Sequence, residues 1–427
     1  MKMDLVEKLI VKNTNAIKDM EANPDPGRMK SDKLGLELEL AQYHELLEAG
    51  KTGKPPIIVH PVAHGLTRAL GAIPALIQDI ILCAQIPPEE GMKLYKIADD
   101  MGMPEYMCDV FTLPAAAAAS GQLPTPVIGT TGVEGACRIW TYHMKAFFQY
   151  FDVPTFDIDI PQGYNLDSIE YLAGQLGEFA KFAEEQLPGL KYDIDLHREI
   201  IDQQRRWVDY TKAEWELRRS IPFPMDNYET LVFSEHFNPS RFPDREKVLE
   251  FWRQRVEDIQ ERVDKGVKKD EKLRLLWLNV LPLYMDIPAM LAERGVSITA
   301  MWLPPLGIFN GWIPNFGGKE EFGRELTPLE QEAKFLLGED NYKSQDWAKD
   351  CVRMCKDVSA DAVVYTQAVG CAHIGGLARM VADTVEKELG LPTLIFGNRL
   401  FDQSFAPPAE IEAKLVDFVE MVLARKG

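Results

Sequence analysis

Six cysteines, at positions 83, 108, 137, 351, 355 and 371, give this sequence its widest chemical reach. Two of them stand where an α/β chain gathers its ligands. Cys137, in TTGVEGACRIW, comes six residues after Thr131 at the end of the strand-like PVIGTT. Cys371, in TQAVGCAHIGGLARM, comes five residues after Thr366 at the end of AVVYT. Open parallel sheets bind ligands outside the carboxyl ends of their strands. Glycines at 132, 135, 370, 375 and 376 let the backbone approach a ligand closely. A helix N-terminus favours the thiolate, the form of cysteine that binds metal. Cys108, in MGMPEYMCDV, follows Gly102 and Pro104, which end a helix, so it belongs to a connection. Any one of these cysteines taken alone is more readily read as a buried core thiol, the commonest fate of this residue. Two in matching positions of two blocks bring the ligand reading level with that one. Three thiolates around an iron–sulfur cluster would leave one iron without a protein thiolate, as in metal sites that keep an open position.

The remaining candidates carry less. Cys351 and Cys355 are four apart and share a helix face, where half-buried packing against a sheet is expected in place of ligation. Cys83 follows an apolar run and reads as core. His60 and His64 are also four apart, but zinc would need further ligands and none is evident nearby, so a turn or a substrate-facing role is expected. His373, two residues from Cys371, is a candidate for proton transfer or for a hydrogen bond to substrate, with packing behind the site as the other reading. Glu134, Gln367 and Arg379 either touch a ligand or pair with other side chains. The loop 304–318 (PPLGIFNGWIPNFGG) has the size and composition of one that covers a cleft or meets a partner.

The elements that must position these residues fall into two α/β blocks around a helical middle, with domains expected at 1–165, 166–270 and 271–427. In the first block 56–62, 126–131 and 153–160 read as strands, and 88–101 and 136–150 as helices. The middle is charged and helical in period, as in 192–219 and 245–265, with a proline- and aromatic-rich interruption at 221–241. The second block has strands at 273–280, 296–303, 362–366 and 392–396, and helices at 375–389 and 410–425. Alternating strand and helix implies parallel sheets covered by helices. The alanine run 115–119 reads as a tightly packed helix turn.

Bulk properties set limits. The 427 residues include 47 Lys plus Arg against 66 Asp plus Glu, a net charge of −19, which argues against nucleic acid or an anionic membrane as the main partner. The N-terminal 30 residues lack the apolar region of a signal peptide, and no stretch of eighteen apolar residues exists. A cytoplasmic protein is expected, in which cysteines are ligands or redox groups more often than disulfides.

The stretches KIADDMGMPEYMCDVF, PTPVIGTTGVEGACRIW and FFQYFDVPTFDIDIP, followed far downstream by SADAVVYTQAVGCAHIGGLARMVADTVEKELGLPTLIF, keep a characteristic order of three cysteines and their flanks. In this the chain resembles the 2-hydroxyacyl-CoA dehydratase and class I benzoyl-CoA reductase family, and within it the D-component-like subunits. The resemblance implies two Rossmann-like parallel-sheet domains joined by a helical segment, with a [4Fe–4S] cluster in the cleft between them. It carries Cys108, Cys137 and Cys371 over as the cluster's ligands, with the fourth iron open to water or substrate. It implies a second, homologous subunit in a heterodimer, an ATP-dependent iron–sulfur activator protein, and an acyl-CoA substrate. The implied reaction is loss of water from a 2-hydroxyacyl-CoA through a ketyl radical after one-electron activation. ATP-dependent reduction of an aryl-CoA and a non-catalytic electron-relay subunit are the alternatives inside the class; a metal-free α/β binding protein is the one outside it. The chain has Asp109, Thr112, Arg138 and Val369-Gly370 where the family often has other residues, differences that touch the substrate side more than the cysteines.

Overall fold

LRLLWL, the run Leu273–Leu278, is buried at every position. A strand covered on both faces calls for a mostly apolar run, and parallel sheets supply that environment; the one charged residue, Arg274, donates to Glu271 and to the carbonyls of Arg218, Ser220 and Val358. It forms β5 of a four-stranded parallel sheet with β6 (Val296–Trp302), β7 (Ala362–Ala368) and β8 (Thr393–Asn398), in the order β6-β5-β7-β8. Leu276 pairs with Val363 and Val364 with Leu394. A second parallel sheet is built from β1 (Ile57–Val59), β2 (Ile73–Pro74), β3 (Ile128–Thr130) and β4 (Thr155–Phe156), in the order β2-β1-β3-β4. Both sheets therefore repeat one order, second-first-third-fourth, and each has its switch point between its first and third strands. This is the pair of Rossmann-like sheets that the alternating pattern predicts.

The computed structural model describes residues 3–59, 63–74, 86–131, 138–161, 163–232, 236–267, 269–302, 318–340 and 344–426; the side chains of 59, 138–140, 302, 338–340, 344–346 and 372–374 lie outside that description. Its helices are α1 (Asp4–Ala22), α2 (Lys30–Thr52), α3 (His64–Ala69), α4 (Pro88–Asp100), α5 (Asp109–Ala119), α6 (Arg138–Tyr150), α7 (Leu166–Gln186) and α8 (Ile194–Arg218). They continue as α9 (Arg245–Lys265), α10 (Ile287–Ala292), α11 (Lys319–Phe322), α12 (Pro328–Asp340), α13 (Ser344–Asp357), α14 (Ala372–Leu389) and α15 (Pro408–Lys426).

The long helices of the middle start on strong caps. Asn165 accepts from the Ser168 amide, Asp193 from those of Asp195 and Leu196, and Asp244 from that of Lys247. Each satisfies first-turn amides that the helix itself leaves without partners. α12 returns to the first half of the chain, where Ala333, Phe335, Leu336 and Leu337 share a core with α7 and with Trp207 of α8.

Two expectations about extent are corrected. The strand read over 153–160 pairs only at Thr155 and Phe156. Beyond Phe156 the backbone is claimed by side chains: Gln175 of α7 donates to the Asp159 carbonyl at 2.7 Å and accepts from the Asp159 amide at 2.8 Å. The helix read from Gly375 begins at Ala372, directly after Cys371. The alanine run at 115–118 is buried within α5, in a core that includes Leu276, Leu278 and Tyr365 of the second sheet, so the two halves share one interior.

Candidate functional site

The third strand of the second sheet ends in a tight turn. The Ala368 carbonyl accepts from the Cys371 amide at 3.1 Å, and Gly370 takes φ +79°. A turn with its third residue at positive φ needs glycine there. Neighbouring strand ends hold the turn in place. The Val369 amide donates to the Asn398 carbonyl, the Asn279 side chain to the Thr366 carbonyl, and the Thr366 hydroxyl lies within hydrogen-bond distance of the carbonyls of Leu278 and Val280. Cys371 is thus the N-cap of α14, half-buried, with no side-chain cap on its helix.

Cys108 occupies the same local position in the other half. Gly102 turns the chain out of α4 with φ +79°, and Cys108 is the N-cap of α5, half-buried, again with no side-chain cap. Its carbonyl accepts the amides of Phe111 and Thr112, each at 2.9 Å, and the Thr112 hydroxyl at 3.0 Å. Where α7, α8 and α9 spend an Asn or Asp on their first turn, α5 and α14 each begin on a cysteine. Both helix ends place their positive dipole beside a thiol.

The two cysteines are brought together by Gly370. A Cβ placed there would lie 2.5 Å from the carbonyl carbon and oxygen of Met107 and 2.6 Å from the Cys108 amide nitrogen. Glycine is therefore required twice at this position, for its backbone angle and for the direct packing of one cysteine's loop on the other's. The sequence marks the glycine but not its partner, because nothing local in MGMPEYMCDV points to residue 370.

Sequence reasoning also missed an ion pair next to Cys108. Asp109 is almost fully buried, and its carboxylate accepts from Arg399 Nη2 at 2.9 Å, from Arg399 Nε at 3.3 Å and from the Leu400 amide at 3.0 Å. The guanidinium lies 4.2 Å over the ring of Tyr95 in α4. Burial raises the Asp109 carboxyl above its usual range while Arg399 opposes that rise. Phe401 then packs its ring where Gly91 of α4 leaves space, at 2.2 Å from a would-be Cβ. The segment 399–401 thus seats α4 and α5 on the second sheet.

Other predicted residues separate from this junction or lie outside the described residues. Cys137, Cys83, His60 and Glu134 are among the latter, as are the loop residues 304–317 and the side chain of His373. Cys351 and Cys355 are buried outright, not half-buried as expected, because α13 packs against α14 within the shared core. Burial pushes the Cys355 thiol to about 12 and that of Cys351 well above the ordinary range, so neither offers a thiolate. Arg379 is exposed and pairs with Asp383 at 2.6 Å, and Gln367 donates to the Gly375 carbonyl at 2.8 Å, so both serve other side chains and the backbone. His64 is buried at the start of α3. The next amide, that of Gly65, donates to Glu332 of α12, which also meets Nε2 of the buried His197 at 2.5 Å; Nδ1 of His197 faces the Tyr192 hydroxyl at 2.9 Å. No group of three or more His, Cys, Asp or Glu side chains in metal-binding array occurs among the described residues. Two of the three cysteines expected as ligands nevertheless meet at one junction, and their soft sulfur donors beside helix N-termini suit an iron–sulfur group.

The family model described as 2-hydroxyglutaryl-CoA dehydratase, D-component, matches residues 62–422. No individual curated protein matches the chain. The matched span takes in the second sheet, the first sheet apart from β1, the α4–α5 connection and the turn before α14. The chain belongs to the 2-hydroxyglutaryl-CoA dehydratase D-component family.

Proposed function

We propose that this chain is the iron–sulfur subunit of a 2-hydroxyacyl-CoA dehydratase, holding a [4Fe–4S] cluster on Cys108, Cys137 and Cys371. The observation that carries the reading is the packing of Gly370 on the Met107–Cys108 peptide, which sets two cysteine N-caps from opposite halves of the chain side by side. Membership of a dehydratase-component family supplies the substrate class. When bound, such a cluster would supply low-potential electron transfer and a Lewis-acidic iron for the departing 2-hydroxyl. The reaction on this reading is loss of water from a 2-hydroxyacyl-CoA by way of a thioester ketyl radical, with the activating electron recovered at the end.

The chain's own residues do the rest. Helix dipoles of α5 and α14 stabilise the two thiolates electrostatically. The shared apolar core under the junction, with Leu276, Leu278 and Tyr365, keeps water away from its inner side. His373, in the first turn of α14, is the residue this reading assigns to proton transfer at the substrate. A homologous second subunit and an ATP-hydrolysing activator belong to the same proposal, as does a cytoplasmic setting. No described helix is long and apolar enough to cross a membrane.

The test is spectroscopic. The protein is purified without oxygen together with whatever subunit accompanies it, and its electronic and paramagnetic spectra are recorded with a panel of 2-hydroxyacyl-CoA thioesters and their 2-deoxy counterparts. A cluster signal that shifts with a 2-hydroxyacyl-CoA and not with its 2-deoxy counterpart supports the reading. A cluster signal indifferent to every thioester would reject a substrate-binding role and leave the chain an electron relay.

A further inference from the structure

Two contacts bracket Cys108, and both are made to the other half of the chain. On its N-terminal side the Met107–Cys108 peptide rests on Gly370. On its C-terminal side Asp109 is tied to Arg399 and to the Leu400 amide. An aspartate in the first turn of a helix ordinarily serves its own first-turn amides. Asp109 instead directs both carboxylate oxygens across the junction, one to the guanidinium and one to a backbone N–H, which fixes it in more than one direction. Arg399 is itself held from several sides: by the ring of Tyr95 at 4.2 Å, by Asp402 at 3.6 Å, and through the chain by the Leu400 carbonyl, which accepts from the Leu283 amide at 2.8 Å. The arginine thus connects the end of β8 to both α4 and α5. Cys108 lies between these two ties, and Cys371 is the residue after Gly370, so the placement of one cysteine against the other runs through them.

We propose that Asp109 and Arg399 are positioning residues that set the spacing of the Cys108 and Cys371 thiols, and so the strength with which the site holds metal. This rests on the reading of those cysteines as ligands, and the experiment separates the two ideas. Metal-free chain, isolated with its accompanying subunit and without oxygen, is titrated with Co²⁺, and the thiolate-to-cobalt charge-transfer absorption is followed. Cys108→Ser, which should remove the band or reduce it, identifies the site. Asp109→Asn and Arg399→Gln should weaken cobalt binding roughly ten- to a hundredfold, the range seen when groups supporting metal ligands are lost. Asp402→Asn, which leaves the Asp109 contact in place, should change it little. Arg399→Lys keeps the charge and loses the fork; it should fall between, and it carries the test if Asp109→Asn does not fold. In parallel, iron loss to a chelator is timed in the as-isolated protein, and thermal melting records stability.

Weaker cobalt binding in folded Asp109 and Arg399 variants supports the clamp. If it is seen in a chain that never holds iron, the clamp stands and the cluster reading fails. Unchanged cobalt affinity and iron-loss rate in variants that lose only stability would overturn the clamp, as would a parent chain with no thiolate–cobalt band.

Discussion

At the scale of single residues, metal binding depends on which thiols are available. Cys108 and Cys371 are half-buried at helix starts, whereas Cys351 and Cys355 are sealed in the core with thiols pushed far from ionisation. Cys108→Ser and Cys371→Ser should therefore each lose most of the iron of the anaerobically purified protein, while Cys351→Ser and Cys355→Ser keep it; iron per chain is the measurement. Gly370→Ala is the sharper probe of geometry. Its Cβ would meet Met107 at 2.5 Å in a backbone conformation that alanine avoids. Adopting that conformation and relieving the overlap should together cost about 2 kcal/mol or more in urea unfolding. Iron retention should fall in the same variant. The cysteines themselves were legible in the sequence, because each follows a strand or a helix-breaking Gly and Pro. The Asp109–Arg399 pair was not, since 290 positions separate partners that only the folded chain brings together. Half-burial at a helix start and complete burial on a helix face also look alike in a string of letters, and Cys351 and Cys355 show the difference.

At the scale of elements, helix limits were readable where capping chemistry is strong. The helix read at 245–265 is α9 to the residue, started by Asp244 and ended at Gly266. The strand read at 153–160 was not, because Gln175 from a later helix takes backbone groups that a sheet would have used. A half-buried acid at the start of α2 gives this scale its own prediction. Asp32 is raised from 3.8 to about 6, first by burial and then by the nearby Glu229, against the pull of Arg255. A folded value above the unfolded one means that the folded chain binds the extra proton between them. Stability should accordingly fall as pH rises from about 4 to about 6, then stay level with respect to this group. Asp32→Asn should flatten that part of the profile and add about 2 kcal/mol at pH 7, a full two-unit shift being discounted for partial exposure. Urea midpoints at pH 4, 5, 6 and 7 for both chains would check it; a larger gain at pH 4 than at pH 7 would contradict the sign.

At the scale of the whole molecule, two parallel sheets share one strand order, and in the sequence a cysteine follows the third strand of each, Cys137 after β3 and Cys371 after β7. The alternation of strands and helices announced those sheets. It did not announce how the halves meet, through the segment 399–401 on α4 and α5 and through one shared core. Long-range packing of that kind leaves no periodic trace along the chain. The central claim is that this junction holds a [4Fe–4S] cluster. It is tested most directly by measuring iron and acid-labile sulfide per chain after purification without oxygen. About four of each are expected. Little or no iron, even after anaerobic reconstitution with iron and sulfide, would contradict it and leave the three cysteines a structural role.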